Sequence, residues 1–313
     1  MNGAGDLSSA GPDAWLMLKK HGKTFAWAAH LIPRRDADRL ARLYAVCRKL
    51  DDLADFDGSL GAQERLLNLR SVPWVAGSDD PIARELAFMV ANMGLNSATM
   101  IQLLDGLISD LDHKVVTDEA SLIRYAYLVA GTVGLMVCDV LDVPEEPARN
   151  AAINLGIAMQ LTNIARDVHE DALVNRKYLP ATWWDATPAE VADPSSATQR
   201  TGAIAVLRVL DLADSYYASA SRGFAYLPIF TRIGLSVAAR VYRGIGAELR
   251  RRDGAFHLGR VYVPRWRKAV LTVVAFGTLA APSTRTVEPQ VLSATLDLLS
   301  APTRINAVFD GHN

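Results

Sequence analysis

The chain has 313 residues, of which 50% are hydrophobic, 21% charged and 7% aromatic, with 33 Lys and Arg against 34 Asp and Glu. So large an apolar fraction excludes a disordered or collagen-like chain, because it can bury a sizeable core. The balanced charge, without a basic stripe, argues against a nucleic-acid partner. Cys47 and Cys138 lie in apolar sequence without metal-ligand spacing, which disfavours a disulfide scaffold and a zinc ribbon.

The amino terminus carries no targeting signal of the secretory type. Residues 1–13 lack a basic start and an apolar run, so a short flexible tail is predicted there. The longest strongly apolar stretch, around 268–282, holds roughly 13 residues, against the roughly 20 that a membrane-spanning helix needs. We therefore expect a cytoplasmic protein. Peripheral contact with the inner membrane face stays open, although no basic amphipathic helix indicates it.

Hydrophobic periodicity predicts an all-α fold. Apolar residues recur at three- and four-residue intervals, and alternating β-branched runs between turn residues are almost absent. Prolines such as Pro33, Pro81 and Pro180 mark breaks between segments. The predicted helices span about 14–31, 35–55, 60–70, 82–93, 97–111, 119–141, 146–171, 203–226, 229–252, 261–280 and 287–300.

The loosest internal segment is 185–201, with Pro188, Pro194 and the pair Ser195-Ser196. It is interpreted as a surface loop rather than a domain linker, because the predicted helices on either side are too apolar to stand alone. The sequence therefore predicts one all-α domain over 14–300, with tails at 1–13 and 301–313.

The first polar stripe lies on the predicted helix 35–55. Tyr44, Arg48, Asp51 and Asp55 follow one another at spacings of four, three and four residues. At about 100° per residue they fall within roughly 60° of one helix face. That face therefore presents a phenol, a guanidinium and two carboxylates to whatever lies opposite.

A second stripe interrupts the predicted helix 146–171, which is otherwise apolar almost all round. Gln160, Asn163, Asp167 and Asp171 share one face of it. Burial of an unpartnered carboxylate is strongly unfavourable, so this stripe needs cations or water opposite it. Two carboxylates four residues apart suit a divalent ion, and oxygen ligands favour Mg2+ or Mn2+ bridging to phosphate. The alternative is a solvated face neutralised by Arg or Lys, which two such motifs in apolar helices disfavour.

With these motifs the chain resembles the squalene and phytoene synthases, all-α enzymes of the isoprenoid synthase fold that join two prenyl diphosphates head to head. The resemblance covers about His21 to Lys268 and implies a single helical bundle around a central apolar tunnel. Its blocks, in the family's order, are HGKTF at 21–25, YAVCRKLDDLAD at 44–55, YAYLVAGTVG at 125–134, LGIAMQLTNIARDVHED at 155–171, RKYLP at 176–180, AARVYRGIGAELRR at 238–251 and GRVYVPRWRK at 259–268.

The resemblance also implies roles for individual residues. Mg2+ or Mn2+ would hold the substrate diphosphates and draw off the leaving group. Its ligands would be Asp51, Asp55, Asn163, Asp167 and Asp171. Catalytic positions would include Arg48, Tyr44 and Tyr178 as well. The expected substrate-binding residues are His21, Thr24, Phe25, Tyr125, Gln160, Asn163, Arg176, Tyr242 and Arg260, with Lys268 as a late basic position. A surface salt bridge is the alternative for each basic residue, and a core position for each tyrosine.

Small residues at three places bear on the expected tunnel. Gly22 stands where the family has serine, and Thr24 is expected to replace the lost hydroxyl. Gly131 and Gly134 are predicted to permit close approach of either a prenyl chain or another helix. Ala29 and Ala41 would give the tunnel a roomy floor if they face it, which favours C20 over C15 substrates.

The second motif and RKYLP look most like bacterial phytoene synthases. The leading interpretation is Mg-dependent condensation of two geranylgeranyl diphosphates to phytoene, through prephytoene diphosphate, in carotenoid biosynthesis and without NADPH. One alternative is a squalene, dehydrosqualene or presqualene diphosphate synthase that uses two farnesyl diphosphates. Another is a non-catalytic helical scaffold, against which stand the four intact aspartates with Asn163 and Arg166.

Overall fold

The computed structural model describes residues 12–55, 60–111 and 115–279. Within these ranges the chain is helical and contains no strand, as predicted. The predicted helix 287–300, the predicted tail 301–313 and residues 1–11 lie outside the described residues. The α-helices are α1 Pro12–His21, α2 Lys23–Ala29, α3 Arg34–Asp55, α4 Leu60–Ser71, α5 Pro81–Met93, α6 Ser97–Leu111, α7 Glu119–Ala126, α8 Thr132–Val140, α9 Glu146–Arg166, α10 Val168–Leu173, α11 Pro188–Ala192, α12 Ser196–Ala220, α13 Ile229–Arg250 and α14 Arg265–Leu279.

Two predicted helices are each divided in the structure. The predicted helix 14–31 breaks at Gly22, whose ψ of 48° is not helical. A Cβ on Gly22 would lie 2.9 Å from Cζ of Tyr44, so even a serine there would crowd that ring. The predicted helix 146–171 breaks at Asp167, where φ is −103° and ψ is 13°.

The predicted loop 185–201 carries more helix than expected. Thr187 caps α11 through a reciprocal pair of hydrogen bonds with Glu190. Ser195 caps α12, which begins at Ser196 instead of about 203. Serine and threonine were interpreted as loop residues, but here they serve as helix caps. Likewise, α14 begins at Arg265 and not at 261, because Pro264 precedes it.

Helix α9 lies at the centre of the bundle and packs against α8, α12 and α13. Two glycines, one on α8 and one on α9, permit close backbone contact between α9 and the segment formed by the π-turn and α8. A Cβ on Gly134 would lie 2.1 Å from the Ala152 carbonyl oxygen, and a Cβ on Gly156 would lie 2.1 Å from the Ala130 oxygen. Gly134 therefore serves approach of another helix, one of its two predicted uses, and Gly156 shares that function without having been predicted.

A π-helical turn, Tyr127–Gly131, joins α7 to α8 without interruption. The resulting run Glu119–Val140 is long and apolar enough to cross a membrane by length and composition, because an 18-residue window within it has a mean hydropathy of 1.5. The stretch 268–282 was therefore the wrong choice as the longest apolar segment. In the bundle the run packs against α6 and α9, with Leu122, Ala126 and Met136 fully buried.

Candidate active site

A cavity of about 960 Å3 opens inside the bundle. Every residue predicted to belong to the site lines it, although these residues come from eight helices and three connecting segments. They are His21, Thr24, Phe25, Tyr44, Arg48, Asp51, Asp55, Tyr125, Gln160, Asn163, Asp167, Asp171, Arg176, Tyr178, Tyr242 and Arg260, together with Arg166 and Lys268.

The rest of the lining is largely apolar. Val129 and Val133 come from the π-turn and α8, Leu155 and Met159 from α9, and further apolar side chains from α2, α3 and α13. A cavity with charged groups and apolar walls suits a ligand with a polar head and a hydrocarbon chain.

The first aspartate stripe is held by arginine. Arg48 Nη1 donates to Asp51 Oδ2 at 3.0 Å, and Arg48 Nη2 contacts Asp52 Oδ1 at 2.5 Å. The Asp51 side chain is 47% exposed, yet the cavity walls withdraw it from bulk water. Burial, then the charge of Asp55, raises the pKa of Asp51 to about 6. Burial also raises the pKa of Tyr44 to about 12, so its phenol stays protonated.

In the second stripe the two aspartates have different partners. Asp167 accepts from two arginines, from Arg166 Nε at 2.7 Å and from Arg260 Nε at 2.9 Å. Burial, then the charge of Asp167, raises the pKa of Asp171 to about 8. The helix breaks at Asp167 itself, which ends α9 and precedes α10. The backbone N–H of Asp171 still donates to the Asp167 carbonyl at 2.8 Å, so the two carboxylates remain one helical turn apart as predicted.

Arg176 brings the two stripes together. Its Nη1 donates to Asp55 Oδ1 at 2.6 Å, and its Nη2 donates to the Ala54 carbonyl at 3.1 Å. The same guanidinium acts electrostatically on Asp171 of the second stripe. The segment after α10 therefore places a cation between the two carboxylate pairs, where an anionic group would also be received.

One acidic lining residue was not predicted from the sequence. Asp110, near the end of α6, accepts hydrogen bonds from the hydroxyls of Tyr125 and Tyr178. Asp110 has no second aspartate four residues away, so the spacing that identified the other motifs could not identify it. Asp105, five residues earlier on the same helix, forms an ion pair with Arg70 and does not line the cavity.

The expected tunnel floor is partly confirmed. Ala29 lines the cavity, whereas Ala41 is fully buried in a cluster with Leu18 and Ile32 and was wrongly placed. Gly131 does not line the cavity either. A Cβ there would lie 2.8 Å from the Tyr127 ring and 3.4 Å from Ile153 of α9, so this glycine permits close helix packing. The close-packed α1–α3 corner explains both the fully buried Ala41 and the need for Gly22.

The donor set fits a hard divalent cation. Asn163 Oδ1 is buried and has no hydrogen-bond partner, while Asn163 Nδ2 donates to Gln160 Oε1 at 3.3 Å. An unpaired amide oxygen beside carboxylates with raised pKa values is an arrangement that Mg2+ or Mn2+ would relieve. Among the described residues no three His, Cys, Asp or Glu side chains converge to hold a metal by themselves. Each ion would therefore share its coordination with ligand oxygens or water.

Comparison with known proteins gives a consistent result. A family described as squalene/phytoene synthase matches residues 18–267. The chain is 36% identical to a 15-cis-phytoene synthase of a Paracoccus species, over 75% of this chain and 80% of the relative. It is 34% identical to a phytoene synthase of Pseudescherichia vulneris, over 86% and 91%. A crystal structure of a dehydrosqualene synthase with ligand superposes with a TM-score of 0.75 at 28% identity, covering 85% of this chain and 95% of that one.

Proposed function

This chain belongs to the squalene/phytoene synthase family of prenyltransferases, and we propose that it joins two geranylgeranyl diphosphates head to head to give phytoene, through prephytoene diphosphate. One observation carries the proposal. Both aspartate stripes face a single cavity whose remaining walls are apolar, so a diphosphate and a long hydrocarbon chain are accommodated together.

The chain's own residues account for binding. Arg48, Arg176, Arg260 and Lys268 line the cavity and supply positive charge for the diphosphates. Mg2+ held by the four aspartates and Asn163 would add charge neutralisation and Lewis acidity toward the departing diphosphate. To bind the diphosphates, the arginines would release the carboxylates that they contact in this structure and bind phosphate oxygens instead.

The apolar walls protect the reaction. Departure of a diphosphate leaves an allylic cation on the prenyl chain, which water would capture. Val129, Val133 and Leu155 carry no nucleophilic atom, and together with Met159 they exclude water from the chain. The double bond of the second chain then attacks this cation, and loss of a proton gives prephytoene diphosphate. Departure of its remaining diphosphate, rearrangement and loss of a second proton give phytoene within the same cavity.

The choice of C20 over C15 substrates rests on two supports. The two curated relatives described above are named phytoene synthases. In addition, the small side chain of Ala29 leaves room at the α2 wall. The dehydrosqualene synthase fold neighbour keeps condensation of two farnesyl diphosphates as the alternative.

Product analysis tests the proposal. Purified protein is incubated with MgCl2 and either geranylgeranyl or farnesyl diphosphate, each with and without NADPH, and the extracted lipids are identified by mass spectrometry. We expect phytoene from the C20 substrate without NADPH. A C30 hydrocarbon from farnesyl diphosphate, with the C20 substrate inert, would assign the alternative. No product from either substrate would favour the scaffold.

We also propose that the protein is cytoplasmic and rests on the inner membrane face through α14. Trp266, Val270, Val273 and Val274 recur at helical spacing and are 66%, 50%, 70% and 44% exposed. The helix contains no acidic residue. Burial, then the nearby charges of Lys23 and Arg265, lowers the pKa of Lys268, which places three cations beside this apolar stripe. Apolar and cationic groups together suit an anionic bilayer.

Sedimentation with phosphatidylglycerol vesicles tests this contact. Val273→Glu adds a negative charge to the exposed stripe and should abolish binding. Val72→Glu, at a 58% exposed position beside α4, is the matched control and should bind like the wild type. Equal binding by both variants, or none by the wild type, would contradict the proposal. The sequence showed here only an apolar run too short to span a bilayer, and no basic amphipathic helix was expected. The exposure of the apolar stripe beside Lys268 and Arg265 is visible in the structure.

A further inference from the structure

Two tyrosines stack inside the cavity at a point that belongs to neither aspartate stripe. Tyr125 of α7 and Tyr178, from the segment after α10, have ring centroids 4.8 Å apart and ring planes within 15° of parallel. Tyr125 Oη donates to Asp110 Oδ2 at 2.9 Å, and Tyr178 Oη lies 3.0 Å from both Asp110 oxygens. A single carboxylate therefore receives both phenol hydrogens.

Asp110 lies between the two stripes electrostatically. Its charge acts on Asp51 of the first stripe and on Asp171 of the second. Among the described residues no arginine or lysine forms an ion pair with it, in contrast to Asp51, Asp55 and Asp167. Within the described part of the chain the two phenols donate the side-chain hydrogen bonds to this buried carboxylate, and Arg176 acts on it only through its charge.

The two hydroxyls remain protonated. Burial, then the negative charge of Asp110, raises the pKa of Tyr125 and of Tyr178 well above the ordinary tyrosine value. Neither phenol is therefore available as a phenolate base. A hydroxyl has one hydrogen and two acceptor sites, so a hydroxyl that donates to Asp110 has only its lone pairs left for other groups. Donation to a carboxylate also polarises the oxygen and strengthens it as an acceptor.

We propose that Asp110 is a positioning residue that fixes the hydroxyls of Tyr125 and Tyr178 as a pair of acceptors directed at positive charge in the cavity. This inference rests on the proposed function, because the positive charge is that of the prenyl cation left by the departing diphosphate. Oriented dipoles beside a developing charge lower its energy without reorganisation during the reaction. Asp110 acts through the tyrosines and not as a ligand of the metal.

The decisive variant is Asp110→Asn, which nearly preserves shape. An amide offers one acceptor oxygen and an NH2 donor, so at least one phenol must turn its lone pair toward residue 110 and its hydrogen toward the cavity. That phenol then presents its hydrogen, and not a lone pair, to the cavity, which destabilises a cation there. We expect kcat to fall about 10- to 100-fold, as for loss of other partners that orient functional groups. KM for the prenyl diphosphate and the Mg2+ concentration for half-maximal rate should stay within about twofold of wild type.

The matched control is Asp105→Asn on the same helix. It removes an ion pair with Arg70 outside the cavity lining, so it reports the effect of the same substitution on α6 alone. We expect its kcat to equal that of the wild type. Asp110→Glu keeps a carboxylate and should recover part of the rate lost in Asp110→Asn. Melting temperatures of all three variants show whether any loss follows unfolding.

Double variants separate positioning from other roles. If Asp110 acts through Tyr125, then Asp110→Asn combined with Tyr125→Phe should be no slower than the slower single variant. The same holds for Tyr178→Phe. Multiplying effects would overturn the proposal, as would a wild-type kcat in Asp110→Asn. A tenfold higher Mg2+ requirement with unchanged kcat would make Asp110 a metal ligand instead. A wild-type enzyme without any prenyl transfer would instead reject the proposed function.

Discussion

Asp167 and Asp171 are four residues apart in the chain, yet their surroundings differ. Asp167 is bound by Arg166 and Arg260, whereas burial and its neighbour's charge raise the pKa of Asp171 to about 8. Asp51 is similarly raised, to about 6. Without a metal, neighbouring carboxylates repel one another electrostatically, and protonation removes this repulsion.

This electrostatic cost predicts how stability depends on pH. An unfolded chain releases these two protons near pH 3.9, whereas the folded chain holds them up to about pH 6 and pH 8. The folded state therefore binds more protons over that interval, and the free energy of unfolding falls as pH rises through it. Divalent ions bind only the ionised carboxylates, so their stabilising effect should grow over the same interval.

Thermal melts measure this linkage directly. We expect the increase in Tm on replacing EDTA by MgCl2 to be larger at pH 8 than at pH 5.5. Asp171→Asn, which cannot ionise, should lose most of the difference. An equal Mg2+ shift at both pH values would show that these carboxylates do not bind the ion.

Loss of one carboxylate tests each stripe separately. Asp51→Asn and Asp167→Asn each remove a charge that faces the diphosphates, so we expect either to lower kcat about 100- to 1000-fold while far-UV circular dichroism is unchanged. Asp211→Asn, at a surface ion pair with Arg250, is the control and should be fully active. Full activity in either test variant would remove that aspartate from the metal site.

At the scale of elements, the sequence predicts helices better than it predicts their ends. Periodicity locates α3, α6 and α13 closely because each buries a continuous apolar face. It misses the break at Asp167 and the caps of α11 and α12, because these depend on local backbone geometry and on single side chains. It also misses the exposure of α14, since an apolar stripe looks the same whether it meets a core or solvent.

Contact between α8 and α9 depends on glycine. Gly134→Ala would place a methyl group 2.1 Å from the Ala152 carbonyl oxygen, so the two helices must move apart. We expect a loss of about 1–3 kcal/mol in the free energy of unfolding, measured by urea denaturation. Gly61→Ala in α4, where no atom lies within 4 Å, is the control and should gain about 0.5–1 kcal/mol. Equal effects of the two variants would contradict this packing.

The α2 wall is expected to set substrate length. Ala29 lines the cavity, so Ala29→Phe would fill space that the longer chain uses. The ratio of kcat/KM for geranylgeranyl over farnesyl diphosphate should fall by about 10-fold or more, as for other changes in pocket volume. Because it is a ratio within one variant, general loss of activity cancels. An unchanged ratio would show that Ala29 does not limit chain length.

At the scale of the whole molecule, much of the site could be predicted. Four-residue spacing identified both aspartate stripes, and the resemblance supplied Arg176, Tyr178 and Arg260 from distant segments. The structure places all of them on one cavity. Asp110 could not be found this way, because its significance comes from two tyrosines 15 and 68 residues away that only the fold brings to it.

We propose that this cavity condenses two C20 chains in preference to two C15 chains. A competition assay tests it most directly: equimolar geranylgeranyl and farnesyl diphosphate are supplied together with MgCl2 and without NADPH, and the hydrocarbons are quantified by mass spectrometry. We expect phytoene to predominate. Predominance of a C30 hydrocarbon or of presqualene diphosphate would contradict it.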